Sequence, residues 1–232
     1  MSQKITLYHG SRMIIEKPTF GAGNSNNDYG VGFYCTRELE LAKEWACGEE
    51  SSGFANQYEL DLSGLSVMEL SGENYHILNW IALLLNNRQF RISNDVAAEG
   101  GRYLTAQFLP DISDFDIITG YRADDSYFSF ANAFLNSTLS LEQLAKAMRL
   151  GKLGEQTVLK SKRAFEQLNF ICGDIAEREV YYPKRSKRDR EARESYKTER
   201  GMQSPLDAVY ILDIMRGGWQ NDDSRIPRNI SE

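Results

Sequence analysis

Residues 4–8, Lys-Ile-Thr-Leu-Tyr, alternate apolar with polar and are rich in β-formers, so they read as a strand that runs into His9-Gly10-Ser11. Residues 16–30 carry Pro18, Gly21, Gly23, Gly30 and the polar cluster 24–28, which predicts a surface loop long enough to take part in binding. Next, Gly30 and Gly32 introduce a short run of β-formers, Phe33-Tyr34-Cys35-Thr36, and the period then changes to helical. Leu39, Ala42 and Ala46 fall on one helical face, with Leu41 and Trp45 at its edge. Thr36 suits the N-cap of that helix, and Glu38 puts negative charge in its first turn.

The same reading carries down the chain. Residues 57–62 alternate, with Tyr58, Leu60 and Leu62 on one side, and 75–86 are apolar enough for a buried helix. Residues 87–110 fit neither period. A strand is expected over 115–120, ending in Gly120, then a helix over 127–135 and another over 142–150, capped by Ser140 and closed by Gly151. A late strand over 153–160 leads into a helix through about residue 168. After Cys172 the composition turns charge-rich, which sets a boundary between a first domain, 1–172, and an extension, 173–232. In that extension, 186–200 read as a helix with Lys187/Glu191 and Arg190/Glu194 at ion-pair spacing. Residues 206–215 form a last apolar element, and a frayed polar tail is expected after Trp219. Strands and helices are mixed without βαβ regularity and without a repeat, so the fold class is α+β.

Composition narrows the possibilities. At 41% hydrophobic and 26% charged residues, the chain is neither a disordered segment nor a membrane protein. The apolar run 81–85 falls far short of the roughly 20 residues of a membrane span. The N-terminal residues lack the apolar core of a signal peptide. Three cysteines without a Cys-x-x-Cys pair, and only two histidines, argue against a zinc site or a disulfide framework. The expectation is a cytoplasmic protein with no metal and no membrane partner. The formal net charge of −6 conceals an asymmetry, because residues 184–200 contain eight basic residues against four acidic ones. An acidic body with a basic C-terminal segment directs attention to an acidic partner.

Three segments carry candidate chemistry: Tyr8-His9-Gly10-Ser11, the aromatic pair Tyr34 and Trp45, and Glu155-Gln156 on the late strand. Each also has a structural reading. His9 at a strand end can be a satisfied histidine, Tyr34 and Trp45 can be core, and Gln156 can be an exposed polar position. A Rossmann site is disfavoured, because Gly30-Val-Gly32 precedes its strand and lacks the third glycine.

Taken together, these segments resemble the ADP-ribosyltransferases of the poly-ADP-ribose polymerase and diphtheria-toxin branch, whose His–Tyr–Glu signature lies on three separated strands. His9-Gly10-Ser11 resembles the first motif and Gly32-Phe33-Tyr34 the second, and Trp45 falls eleven residues on, where that family has its second stacking tyrosine. Gln156-Thr-Val-Leu-Lys and the following helix resemble the segment that carries the catalytic glutamate. Residues 5–170 are most similar to bacterial domains of that superfamily, some of them toxins of toxin–antitoxin and phage-defence systems.

The resemblance implies a split β-sheet core with surrounding helices and NAD as ADP-ribose donor. His9 would bond an adenosine ribose hydroxyl, with Gly10, Ser11 and Arg12 beside the dinucleotide. Tyr34 and Trp45 would sandwich the nicotinamide, a flat cation for which aromatic faces contribute roughly 1–2 kcal/mol when desolvated. Tyr34, His9 and Gln156 would be the catalytic set, with Gln156 near the ribose 2′-OH. Glutamine in place of glutamate can bond the ribose but cannot act as a general base, which favours transfer of a single ADP-ribose. Glu155 is the alternative, although on a strand it points to the opposite face.

The acceptor is less constrained. Asp124 and Asp125 read as helix N-caps or as carboxylates on the acceptor side. Arg190, Arg193, Lys197 and Arg200 share a helical face that suits nucleic-acid phosphates, and Tyr181, Tyr182 and Tyr196 suit base stacking. The expected activity is pentosyl transfer to a nucleic-acid base, RNA before DNA, by a toxin with an antitoxin partner. A protein acceptor, NAD glycohydrolysis, or a binding module without catalysis are the alternatives.

Overall fold

The computed structural model describes residues 3–89, 94–123, 125–150, 154–201 and 207–228. In chain order, β1 (Lys4–Ser11) and β2 (Phe33–Cys35) precede α1 (Leu39–Ala46), β3 (Gly53–Asp61) and β4 (Val67–Glu69). Two helices, α2 (Ile77–Asn87) and α3 (Asp95–Phe108), lead to β5 (Ile117–Tyr121). Then come α4 (Asp125–Leu135), α5 (Leu141–Leu150), β6 (Glu155–Leu159), α6 (Lys162–Glu166) and β7 (Leu168–Ala176). The chain closes with α7 (Arg178–Gly201) and α8 (Ile211–Arg216). The fold is α+β.

The strands form two sheets. One is antiparallel, in the order β1-β3-β7, and the other runs β2-β6-β5-β4 with β4 parallel to β5. A bridge between Tyr8 and Thr36, with N–H···O distances of 2.8 and 2.9 Å, links the two where β1 passes β2. The sheets then diverge, and a cleft opens at this junction. Register decides what faces it. Tyr34 pairs with Val158, and Gln156 pairs with Gly120. Opposed residues of an antiparallel pair share a face, as do residues two apart, so Tyr34 and Gln156 project the same way.

The larger core lies under the second sheet, where α2, α3, α4, α5 and α8 bury Trp80, Phe108, Phe130, Phe134, Leu144 and Ile211. A smaller one joins the two sheets through Leu7, Phe33, Tyr58 and Leu60. Gly10 shows how tightly α1 rests on β1: a Cβ there would come within 2.8 Å of the Ala46 nitrogen and 2.9 Å of the Trp45 Cβ. Glycine at this position sets the height of the helix that carries Trp45.

Several sequence expectations are corrected. Thr36 is not the N-cap of α1, because its backbone is taken by the bridge to Tyr8; Glu38 is the cap and makes no side-chain capping bond. Leu41, expected at the edge of α1, is fully buried, while Leu39 is half-exposed. The unassigned stretch 87–110 contains α3, started by Asn94, whose side chain accepts from Ala97 N at 2.9 Å. Its Gly100-Gly101 pair weakens the helical signal, but Gly100 is where Ile211 packs against the helix. The three-residue β4 was too short to register. In place of a helix through residue 168, α6 ends at Glu166 and β7 pairs with β3 as far as Ala176, so residue 172 lies inside a strand.

At the C-terminal end, α7 begins eight residues earlier than expected and runs through Pro183. The last apolar element starts at Ile211, later than 206, and 202–206 lie outside the described residues. The tail is docked as far as Ile226, which is 3% exposed, and Asn221 accepts from Asn79 Nδ2 at 2.6 Å. Gly151 lies outside the described residues. No helix among them is long and apolar enough to cross a membrane.

Candidate active site

A cavity of about 580 Å³ fills the junction between the sheets, lined from β1, β2, α1, β6 and the long loop before β2. His9, Gly10, Tyr34, Trp45 and Gln156 all line it, although Gln156 stands more than a hundred residues after Trp45 in the chain. Four of the sequence candidates and their glycine thus meet in one place.

Each is held by identifiable contacts. His9 Nδ1 lies 2.7 Å from the Tyr34 carbonyl. A carbonyl can only accept, so Nδ1 carries the proton and a neutral ring leaves Nε2 as an acceptor. Burial lowers the His9 pKa and so favours the neutral ring, and the Tyr34 carbonyl opposes it only in part. The imidazole stacks on Phe33 with centroids 4.4 Å apart. The Tyr34 hydroxyl donates to Gly30 O at 2.7 Å and accepts from Tyr29 N at 3.0 Å, so it pins the end of the long loop to β2. Burial holds its pKa well above that of a free phenol. Lys160 ties down the same loop by donating to Tyr29 O and Val31 O.

Trp45 is half-buried, and its indole N–H has no partner among the described residues. The Arg122 guanidinium lies 4.8 Å from the centre of its ring, so the Trp45 face already attracts a cation. Gln156 is 3% exposed. Its Nε2 donates to Asp28 Oδ2 at 2.9 Å and to Tyr121 O at 3.3 Å. Asp28, also buried, takes Arg88 on Oδ1 at 2.7 Å and the Ala123 N–H on Oδ2 at 2.9 Å. Arg88 in turn donates to Ala123 O at 3.0 Å. The result is a closed network in which loop, α2 terminus, β5 exit and β6 are locked together.

Four charged lining residues were given no individual role in the sequence reading. Lys17, Arg88 and Arg122 are cations and Asp28 a carboxylate, so among the described residues the wall carries three positive charges against one negative. Lys17 is exposed on the loop at the rim. Asp28 sits beside the aromatic-glycine segment, but its partners Arg88, Ala123 and Gln156 are 60, 95 and 128 residues away, and nothing local signals them.

Other candidates lie elsewhere. The Ser11 hydroxyl bonds Met13 O and Asn56 Nδ2, Arg12 is exposed, and neither lines the cavity. Gly10 does line the cavity, and the space a Cβ would need there is taken by α1. Glu155 projects from the opposite face of β6 and accepts from the Ser71 hydroxyl. Asp124 lies outside the described residues; Asp125 opens α4, and its side chain is outside them too. On α7, Arg190, Arg193 and Lys197 are exposed, and the Arg200 side chain is outside the described residues. The spacing pair Lys187–Glu191 meets at 3.7 Å, whereas Arg190 and Glu194 make no ion pair among the described residues. Lys184 and Arg188 are on the side of α7 next to α1, paired with Glu40 at the surface and with the buried Glu44.

A family model described as Protein of unknown function (DUF3990) matches residues 5–170, and the chain belongs to that family. No curated protein and no solved structure matches it. The matched span includes every residue lining the cavity and excludes α7.

Proposed function

We propose that this member of the family is an NAD-dependent mono-ADP-ribosyltransferase. The observation that carries the reading is the convergence of His9, Tyr34, Trp45 and Gln156 on one cavity large enough for a dinucleotide. Tyr34 and Trp45 offer aromatic faces to the nicotinamide cation, and the neutral His9 offers Nε2 to an adenosine ribose hydroxyl. Lys17 and Arg122 offer charge to the pyrophosphate.

In the reaction, the bond from ribose C1′ to the nicotinamide nitrogen breaks, and its electron pair leaves on nicotinamide. The ribose becomes an oxocarbenium ion. A lone pair on the acceptor forms the new C1′ bond, and the acceptor's proton passes to solvent. Gln156 bonds the 2′-OH beside the developing cation. Among the described residues Asp28 is the one carboxylate lining the cavity, and both its oxygens are engaged, which suits an acceptor nucleophilic without a carboxylate base.

Nucleic acid is the favoured acceptor, RNA before DNA, because Arg190, Arg193 and Lys197 stand exposed on α7 while Lys184 and Arg188 are paired with carboxylates of α1. A toxin acting with an antitoxin in phage defence is the biological setting that fits. The test is mass spectrometry of the protein incubated with NAD and, in parallel, RNA, DNA and cell lysate, beside Tyr34→Ala and Gln156→Ala. ADP-ribose on RNA, lost in both variants, is the expected result. Label on protein moves the acceptor, NAD loss without label makes the protein a glycohydrolase, and NAD neither bound nor consumed overturns the reading.

A further inference from the structure

We infer that Asp28 is the positioning residue of the site: it turns the Gln156 side chain so that Oε1, and not the amide N–H, is the end offered to the substrate. The inference rests on the transferase reading, in which the substrate group beside Gln156 is a ribose hydroxyl.

An amide has a donor end and an acceptor end that can exchange by a half-turn, so a glutamine is an ambiguous replacement for a carboxylate. Its surroundings remove the ambiguity here. Nε2 has two acceptors beside it, Asp28 Oδ2 at 2.9 Å and the Tyr121 carbonyl at 3.3 Å. A flipped amide would set its oxygen against both, two unfavourable contacts in a buried place. Asp28 cannot rotate away to relieve them, because Arg88 holds Oδ1 at 2.7 Å and the Ala123 N–H holds Oδ2. The Gln156 amide also meets the Tyr29 hydroxyl, whose proton goes to Tyr121 O at 2.7 Å, so Oε1 accepts from no donor among the described residues and is the end left for a ligand.

The direction matters to the chemistry. A ribose 2′-OH that donates to Oε1 gains electron density on its oxygen, which stabilises the adjacent cation as nicotinamide departs. A hydroxyl that accepted from the N–H would lose density and oppose it. Asp28 thereby makes glutamine act as the acceptor-only group that a carboxylate would be, without adding a second negative charge beside its own.

The experiment compares wild type with Asp28→Asn, Gln156→Glu and the double variant D28N/Q156E, reading NAD turnover, NAD affinity and the exchange rate of the Gln156 side-chain amide by NMR. Asp28→Asn is expected to lower kcat about 100-fold, in keeping with a misaligned reacting group, with KM changed less than about 3-fold. Its Gln156 amide exchanges faster without any NAD present. Gln156→Glu sets two carboxylates within contact distance and is expected to be similarly impaired. In D28N/Q156E the new amide can donate to the new carboxylate, and kcat is expected to recover at least about 10-fold over D28N.

That recovery separates positioning from simple stability, since both D28N and the double variant lose the charge opposite Arg88. A protected Gln156 amide in D28N, or a double variant no better than the single one, overturns the role of Asp28 while leaving wild-type turnover intact. A wild type that does not consume NAD overturns the transferase reading and this inference with it.

Discussion

Arg188→Ala tests how the C-terminal helix is joined to the part of the chain that holds the cavity. Arg188 grips Glu44 of α1 through two hydrogen bonds, Nε to Oε2 at 2.8 Å and NH2 to Oε1 at 2.9 Å. The Glu44 side chain is 4% exposed and that of Arg188 is 28% exposed. Removing one partner of a fully buried pair strands the other charge and costs ~3–5 kcal/mol. Arg188 lies at the margin, so water can reach the vacated space and the cost falls to about 2–3 kcal/mol. For a chain of this size that lowers Tm by about 4–12 °C.

Urea denaturation supplies the measurement, with stability read at an unchanged m-value. Lys184→Ala is the control, because its pair with Glu40 is 48% and 58% exposed and worth less than about 1 kcal/mol. Combining Glu44→Gln with Arg188→Ala removes the stranded charge and restores most of the loss. NAD affinity also falls in Arg188→Ala, since Trp45 is the next residue on α1. If Arg188→Ala is no less stable than Lys184→Ala, the helix does not cover α1 and the reasoning fails.

Three further outcomes are expected. Tyr34→Phe keeps the ring but loses the bonds to Gly30 O and Tyr29 N, so NAD affinity drops about 5- to 30-fold at ~1 kcal/mol per bond; calorimetric titration that finds unchanged binding refutes the role of the hydroxyl. Lys17→Ala removes a rim cation with no packing duty, so it weakens NAD binding about 10-fold and flattens its salt dependence while Tm stays constant; a Tm loss with intact binding reverses that assignment. Burial lowers the pKa of His76 to about 4, whereas the unfolded chain titrates near ~6.5. Between those values the unfolded state binds the extra proton, so stability rises with pH and up to about 3 kcal/mol is lost on acidification from pH 7 towards 4. His9, also lowered by burial, adds in the same direction. His76→Asn, which keeps an N-cap for α2, flattens the profile of urea midpoint against pH, and a wild-type midpoint constant from pH 7 to 5 contradicts the linkage.

Much of the fold was legible because burial imposes a period on the chain. The corner from β2 to α1 shows a change from period two to 3.6, and α2 is an apolar block that can only be inside. Where local preference and tertiary need diverge, the pattern fails. Gly100 and Gly101 weaken the α3 signal, yet Gly100 is the point where Ile211 closes on the helix. The β7 strand is an edge with Ile171 and Ile175 exposed, so its apolar residues do not mark the buried face. The tail after Trp219 looks like solvent-exposed chain, but the Asn221 side chain accepts from Asn79 Nδ2 and so satisfies the buried amide of α2.

The candidate site divides along the same line. Strand alternation lets only one of Gln156 and Glu155 enter the cavity, because successive side chains point to opposite faces, and the register of β6 against β2 and β5 makes it Gln156. The sequence pointed to the aromatic pair, the histidine at the strand end and the Glu155-Gln156 dipeptide, and tertiary register chose Gln156. Only the tertiary structure brought Asp28, Arg88 and Arg122 to the same wall and left Ser11 and Arg12 outside it. The physical reason is range. Alternation and helical period act over a few residues, while a buried carboxylate finds its partners wherever the folded chain must neutralise its charge, here 60 and 128 residues away.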